Sequence, residues 1–222
     1  MPLKLFLNQP MLPFVAQCQI ARSVTTGKGK NMHGRIFWQL RDYSEARLGA
    51  GTWLKLLKDA GLKERVYLQE PYPDTEMVSL VMAACALSGK PLPMLLEDFG
   101  EFMAPSLMSM YAHLMKREWR TLDVIEHTER IAHGAVRRDE AGAAPPFLRT
   151  KRIGPEELML IYSSPRKLCA VAVGVARGLG KYFHEEVAVQ HSVCMHRGAG
   201  SCEITFQTFA TKAMRAKAPS QK

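Results

Sequence analysis

The sequence has no uninterrupted apolar run of about 18 residues, so no transmembrane helix is expected. Cysteine is sparse: five in 222 residues, an odd number, which argues against a secreted disulfide scaffold. A secretion signal is also missing. Met1 to Ala21 has an apolar flavour, but Asn8, Gln9, Pro10 and Gln17 interrupt it, and Gln17 stands where a lipoprotein cleavage site wants a small residue. The chain therefore reads as cytoplasmic. Neither a helix-turn-helix nor an aromatic-rich RNA-binding pattern accompanies the formal net charge of +9. The basic residues are spread along the chain, densest at Arg137-Arg138, at 149–152 and in the last dozen residues, and read as solvated surface rather than a nucleic-acid interface. Gly27-Lys28 lacks the spaced glycines and following helix of a phosphate loop. No internal repeat is present.

What remains is the ordinary balance of a folded domain, 47% hydrophobic against 23% charged, on a chain long enough for one sizeable core. Residues 1–31 end in a polar stretch of linker composition and read as a flexible extension. Residues 32–209 read as the domain, and 210–222 as a basic, frayed tail.

Within the domain, Ile36, Phe37, Leu40 and Tyr43 recur at helical spacing, as do Trp53, Leu54, Leu56 and Leu57 before Gly61. Asp74 or Thr75 is expected to cap a helix running to Gly89. Residues 93–118 are rich in Leu, Met and Phe, with Gly100 and Pro105 as expected breaks, and another helix is expected over 122–138. The texture then changes. Strands are expected over 147–153 and 158–163, a helix over 167–183, and a second hairpin of 187–195 with 202–209. Helices first and paired strands later predict an α+β fold: a helical N-terminal subdomain, then a C-terminal antiparallel sheet with a helix.

Two constellations carry chemistry. In Tyr162-Ser163-Ser164-Pro165-Arg166, alternate positions of an extended segment would share a face. Two hydroxyls and a guanidinium there suit a pair of carboxylates. The second constellation is Cys169, His191, Cys194 and Cys202, which could complete a tetrahedral zinc site. Buried free thiols, or a Cys194–Cys202 pair, are alternatives. His184 and His196 are reserve ligands, while Cys18 and Cys85 have no partners and read as inert. His127 and His133 lie on one expected helix about 600° apart, so they do not share a face.

The Tyr162-x-Ser164-x-Arg166 pattern resembles the motif of haem nitric-oxide/oxygen-binding (H-NOX) domains, the sensor module of soluble guanylate cyclase. Met32-x-Gly34-x-Ile36, Gly49-x-Gly51-x-Trp53, Leu96-Glu97-x-Phe99-Gly100 and Pro145-Pro146 extend the resemblance over a whole domain. The resemblance implies an H-NOX-like fold around haem b. It places the iron on His133, because His133, Val136, Gly142-Ala143 and Pro145-Pro146 keep the family's spacing while His127 would require an insertion. It further implies that Tyr162, Ser164 and Arg166 hold the propionates, that Pro146 presses on the porphyrin, and that Ile36 and Val171 line the pocket. Oxygen-binding members carry a tyrosine at the position of Val171, so an apolar residue there implies selectivity for nitric oxide.

A subgroup of the family carries the Cys169, His191, Cys194, Cys202 arrangement as a zinc site. The implied role is a non-enzymatic sensor signalling to a separate enzyme, such as a histidine kinase or a cyclic-dinucleotide enzyme, with no nucleic-acid or membrane partner. A thiol–zinc redox sensor independent of haem is the alternative. A haem peroxidase is disfavoured because no distal His–Arg pair is evident.

Overall fold

The computed structural model describes residues 31–64, 71–139 and 143–211. The expected extension, most of the basic tail, Cys18 and Gly142 lie outside these residues. In the described part, helices come first and a four-stranded antiparallel sheet follows, as the sequence pattern predicts.

β1 (Asn31–His33) pairs antiparallel with β2 (Pro71–Pro73). Between them, α1 (Gly34–Tyr43) buries Phe37, Leu40 and Tyr43 and runs into a π-helical turn, Ser44–Leu48. Gly51, at φ +79°, opens α2 (Thr52–Asp59). The Glu45 carboxylate accepts the backbone N–H groups of Gly51 and Trp53 at 2.7 Å each, satisfying donors that a helix start leaves unpaired. α3 (Asp74–Ser88) stops at Gly89, whose φ of +66° ends the helix. The expected cap at Asp74 or Thr75 is not formed. Pro73 holds the cap position, and the Asp74 carboxylate reaches Arg166 instead.

α4 (Leu92–Tyr111) runs unbroken through Gly100 and Pro105, where breaks were expected. Gly100 serves a close approach: a Cβ there would lie 2.3 Å from the Val171 carbonyl of a later helix. Pro105 costs about 3 kcal/mol in a helix interior, but burial of Leu95, Phe99, Met103, Ala104 and Met108 on either side holds the helix together.

α5 (Thr121–Thr128), a π-helical turn (Glu129–His133) and α6 (Gly134–Asp139) replace the single regular helix expected over 122–138. β3 (Phe147–Gly154) and β4 (Glu157–Ser163) form a hairpin, followed by α7 (Cys169–Tyr182), β5 (Glu185–Val193) and β6 (Cys202–Ala210). The sheet order is β3-β4-β6-β5, with every neighbour antiparallel.

Two apolar cores result. One lies among α1 to α4; the other joins the end of α4, α5 and α7 to Leu158, Leu160, Ile204 and Phe206 of the sheet. α7 borders both, with Val171 toward the first and Val173, Ala176 and Leu179 in the second. No single described helix is long and apolar enough to cross a membrane. α3 and the helical run Leu92–Leu114 pass that test only as a pair bent by 106°.

Candidate functional site

His133 closes the π-helical turn, where the Gly134 N–H bonds the Glu129 carbonyl. Its side chain is 20% exposed, and Nδ1 is buried without a hydrogen bond, 3.5 Å from Glu129 Oε2. Burial pushes the imidazole pKa down to about 4, an effect that the neighbouring Pro146 carbonyl only partly offsets. At neutral pH the ring is therefore uncharged, the form that ligates metals. His127 is engaged otherwise: Nδ1 lies 2.8 Å from the Asp123 carbonyl, and the ring stacks on Trp119 at 4.3 Å.

The Pro145-Pro146 loop is clamped to the same turn. Arg137 donates to the Pro146 carbonyl at 3.1 Å and to that of Pro145 at 3.4 Å, pairs with Glu129, and lies 4.5 Å over the Phe147 ring. Leu148 N–H donates to the second Glu129 oxygen at 3.1 Å. Glu129 was not singled out in the sequence, and Arg137 was read there only as solvated surface. The only signal was their spacing of four residues either side of His133, which any surface helix can show.

Tyr162, Ser164 and Arg166 are all buried, at 3%, 4% and 5% exposure. They are not three positions of one strand, as the extended reading expected. β4 ends at Ser163, so Tyr162 faces the core from the strand while Ser164 and Arg166 sit in the following turn. That turn closes because the Ser164 carbonyl accepts Lys167 N–H at 3.0 Å. Tyr162 is opposite Cys202 in the sheet, and burial raises its hydroxyl pKa. Arg166 donates to Asp74 Oδ2 at 2.8 Å and to the Ala144 carbonyl, so it ties the turn to α3 and to the 143–146 loop. The other Asp74 oxygen is buried without a hydrogen bond. Asp74 was read in the sequence only as a cap. Its pairing with a residue 92 positions later has no local signature. Ile36 and Val171 both pack, half-buried, against the first core.

Cys169, His191, Cys194 and Cys202 converge as expected: one ligand atom from each lies within 4.8 Å of all the others. Cys194 Sγ and Cys202 Sγ are 4.0 Å apart, and none of the four described cysteines is in a disulfide. Burial raises the pKa of Cys169 and Cys202 and lowers that of His191, whose Nε2 is buried without a partner. Three sulfurs and a neutral imidazole at this spacing make a donor set that fits a tetrahedral zinc. His196 stays outside the group and lies 2.7 Å from the Lys167 carbonyl; His184 is likewise not among the four.

The model of the haem-NO-binding family matches residues 33–191, most of the chain. The chain belongs to the haem-NO-binding (H-NOX) family. The match includes His133, the Tyr162–Arg166 turn, Cys169 and His191, and stops short of Cys194 and Cys202. Among solved structures, an H-NOX protein from S. oneidensis in the Fe(II)NO ligation state is 26% identical, with a TM-score of 0.73 over 80% of this chain and 99% of that one. The Fe(II) unliganded H-NOX protein of K. algicida is 18% identical, with a TM-score of 0.70 over 82% of this chain and 98% of that one. A mutant of the T. tengcongensis H-NOX is 16% identical, with a TM-score of 0.69 over 82% of this chain and 100% of that one. The last two show the H-NOX fold alone. No curated protein matches the chain.

Proposed function

We propose that this H-NOX domain is a haem-based sensor of nitric oxide that acts by binding rather than by catalysis. In this reading residues 32–209 form the sensing unit, work in the cytoplasm, and signal to a separate histidine kinase or cyclic-dinucleotide enzyme. The observation that carries the reading is His133. Its buried, uncharged imidazole lies beside Pro146, on the short loop whose Ala144 carbonyl receives Arg166. One loop thus connects the candidate iron ligand to the candidate carboxylate-binding turn.

The residues present fit a haem. His133 would ligate the iron through neutral nitrogen, and Tyr162, Ser164 and Arg166 would receive the propionates, with Arg166 exchanging part of its contact to Asp74. When bound, haem b would supply a ferrous iron able to bind a diatomic gas. Ile36 and Val171, packed against the first core, would present apolar surface to that gas. Bound oxygen gains negative charge and needs a donor, whereas nitric oxide does not, so an apolar wall favours nitric oxide. The S. oneidensis relative in its Fe(II)NO state supports the same ligand.

Absorption spectra of the ferrous protein test the ligand. His133→Ala is expected to lose the Soret band unless imidazole is supplied, and His127→Ala to leave it unchanged. The reverse outcome would transfer the ligand role to His127. The wild type is expected to form no stable oxygen complex in air, and Val171→Tyr to favour one; an oxygen complex in the unmodified protein would refute the apolar-wall argument.

A second reading concerns the converged thiols: we propose that Cys169, His191, Cys194 and Cys202 hold one zinc. His191→Ala, which leaves every thiol in place, is expected to reduce zinc content well below one per chain. Normal zinc content in that variant would remove His191 from the ligand set.

A further inference from the structure

We infer that Glu129 is a positioning residue for His133, and that Arg137 tunes it by drawing on the same carboxylate. The inference rests on the proposed ligation of haem by His133 and adds what sets the strength of that bond.

The geometry is a three-way contact on one carboxylate. Oε2 of Glu129 lies 3.5 Å from His133 Nδ1 and accepts Leu148 N–H at 3.1 Å, while Oε1 pairs with Arg137. The distance to Nδ1 is about half an ångström longer than an ordinary N–H···O bond, a gap that a small side-chain rotation closes. Nδ1 is buried and has no other hydrogen bond, and a metal-bound imidazole needs an acceptor for its second N–H. The Pro146 carbonyl, which also accepts Arg137 at 3.1 Å, is the competing acceptor.

Glu129 and His133 are four residues apart, at the two ends of one π-helical turn, a spacing at which side chains are neighbours on a helix. The turn is closed by the Gly134 N–H on the Glu129 carbonyl. The pair meets where the turn adjoins the start of β3, since the same Glu129 oxygen takes Leu148 N–H.

The consequence is electronic. A carboxylate accepting Nδ1–H makes the imidazole a stronger donor to iron. A guanidinium on the other carboxylate oxygen withdraws part of that effect. The balance of the two would set how firmly His133 holds the iron.

The two partners are therefore expected to act with opposite sign. In the haem-loaded full chain, Glu129→Gln should lower the iron–histidine stretching frequency, raise the haem midpoint potential and speed haem loss about tenfold. Arg137→Gln frees the carboxylate and should raise the frequency and lower the potential. A role confined to holding the loop would move both variants the same way. Shifts of the same sign, or none in a Glu129→Gln protein that retains haem, would overturn the inference. His133→Ala run alongside separates the two levels. If that variant keeps the wild-type spectrum, the ligation reading itself fails; if it loses haem while Glu129→Gln is silent, only the tuning role fails.

Discussion

At His133 an ordinary residue type is moved out of its ordinary state. Model histidines titrate near pH 6.5, but burial holds this one down to about 4 in the folded chain. The unfolded state then binds more protons than the folded state between those values. Stability contributed by the neutral ring is fully present above pH 6.5 and is lost as pH falls toward 4, on the order of 3 kcal/mol at most. Urea unfolding of the haem-free protein at pH 7 and pH 4.5 is expected to show a loss that His133→Leu reduces. An identical pH dependence in the two proteins would mean that the ring is not buried as described.

The pairing of α4 with α7 shows how much of an element depends on its neighbour. Gly100 and Gly174 let the two backbones meet, since a Cβ on Gly174 would lie 2.0 Å from the Glu97 carbonyl. Arg177–Glu97 and Lys181–Glu101 ion pairs flank the seam. Gly174→Ala must push the helices apart and is expected to cost about 1–3 kcal/mol. Gly154→Ala, where a Cβ meets nothing within 4 Å, should be close to neutral in the same denaturation assay. Equal effects would show that the seam is less tight than its geometry.

This seam also explains what the sequence did and did not reveal. The strands were readable because Leu158, Leu160 and Tyr162 alternate with half-exposed residues and glycine or proline marks the turns. The continuity of α4 was not, because Gly100 reads as a breaker until Val171 is known to pack on it. The convergence of Cys169, His191, Cys194 and Cys202 was legible from residue type and spacing. The π-helical turn at 129–133 was not, because five residues are too few for its period to differ visibly from that of an α-helix. Glu129, Arg137 and Asp74 were missed with it, since each acts through contacts that local spacing does not distinguish from ordinary surface pairing.

Taken as a whole molecule, α5 meets the sheet through several polar contacts, among them Arg152 with Asp123 and Glu126, whereas Arg166–Asp74 ties α3 to the turn after β4 and is more deeply buried, at 7% and 15% side-chain exposure. On binding zinc, as proposed, the Cys/His group would fasten a different place, drawing one ligand from the start of α7, one from β5, one from the loop after it and one from the start of β6. Chelation is therefore expected to lower the melting temperature and to raise hydrogen exchange in β5 and β6, with α1 to α3 little changed. Because burial raises the two thiol pKa values, metal binding must release protons, and affinity should fall as pH drops below neutral. Zinc release that is flat between pH 8 and 6 would contradict this.

The sheet order β3-β4-β6-β5 puts β6 in the interior although it follows every other strand along the chain. During synthesis, β4 leaves the ribosome with Tyr162 and must wait some forty residues for Cys202, its cross-strand neighbour. Until then the strand bearing Tyr162 has one edge open, and the growing polypeptide must be kept from pairing that edge with a neighbouring nascent chain. A polysome crowded with copies at this stage is where misassembly would begin, so the yield of soluble protein should respond to translation rate more than to the stability of the finished fold.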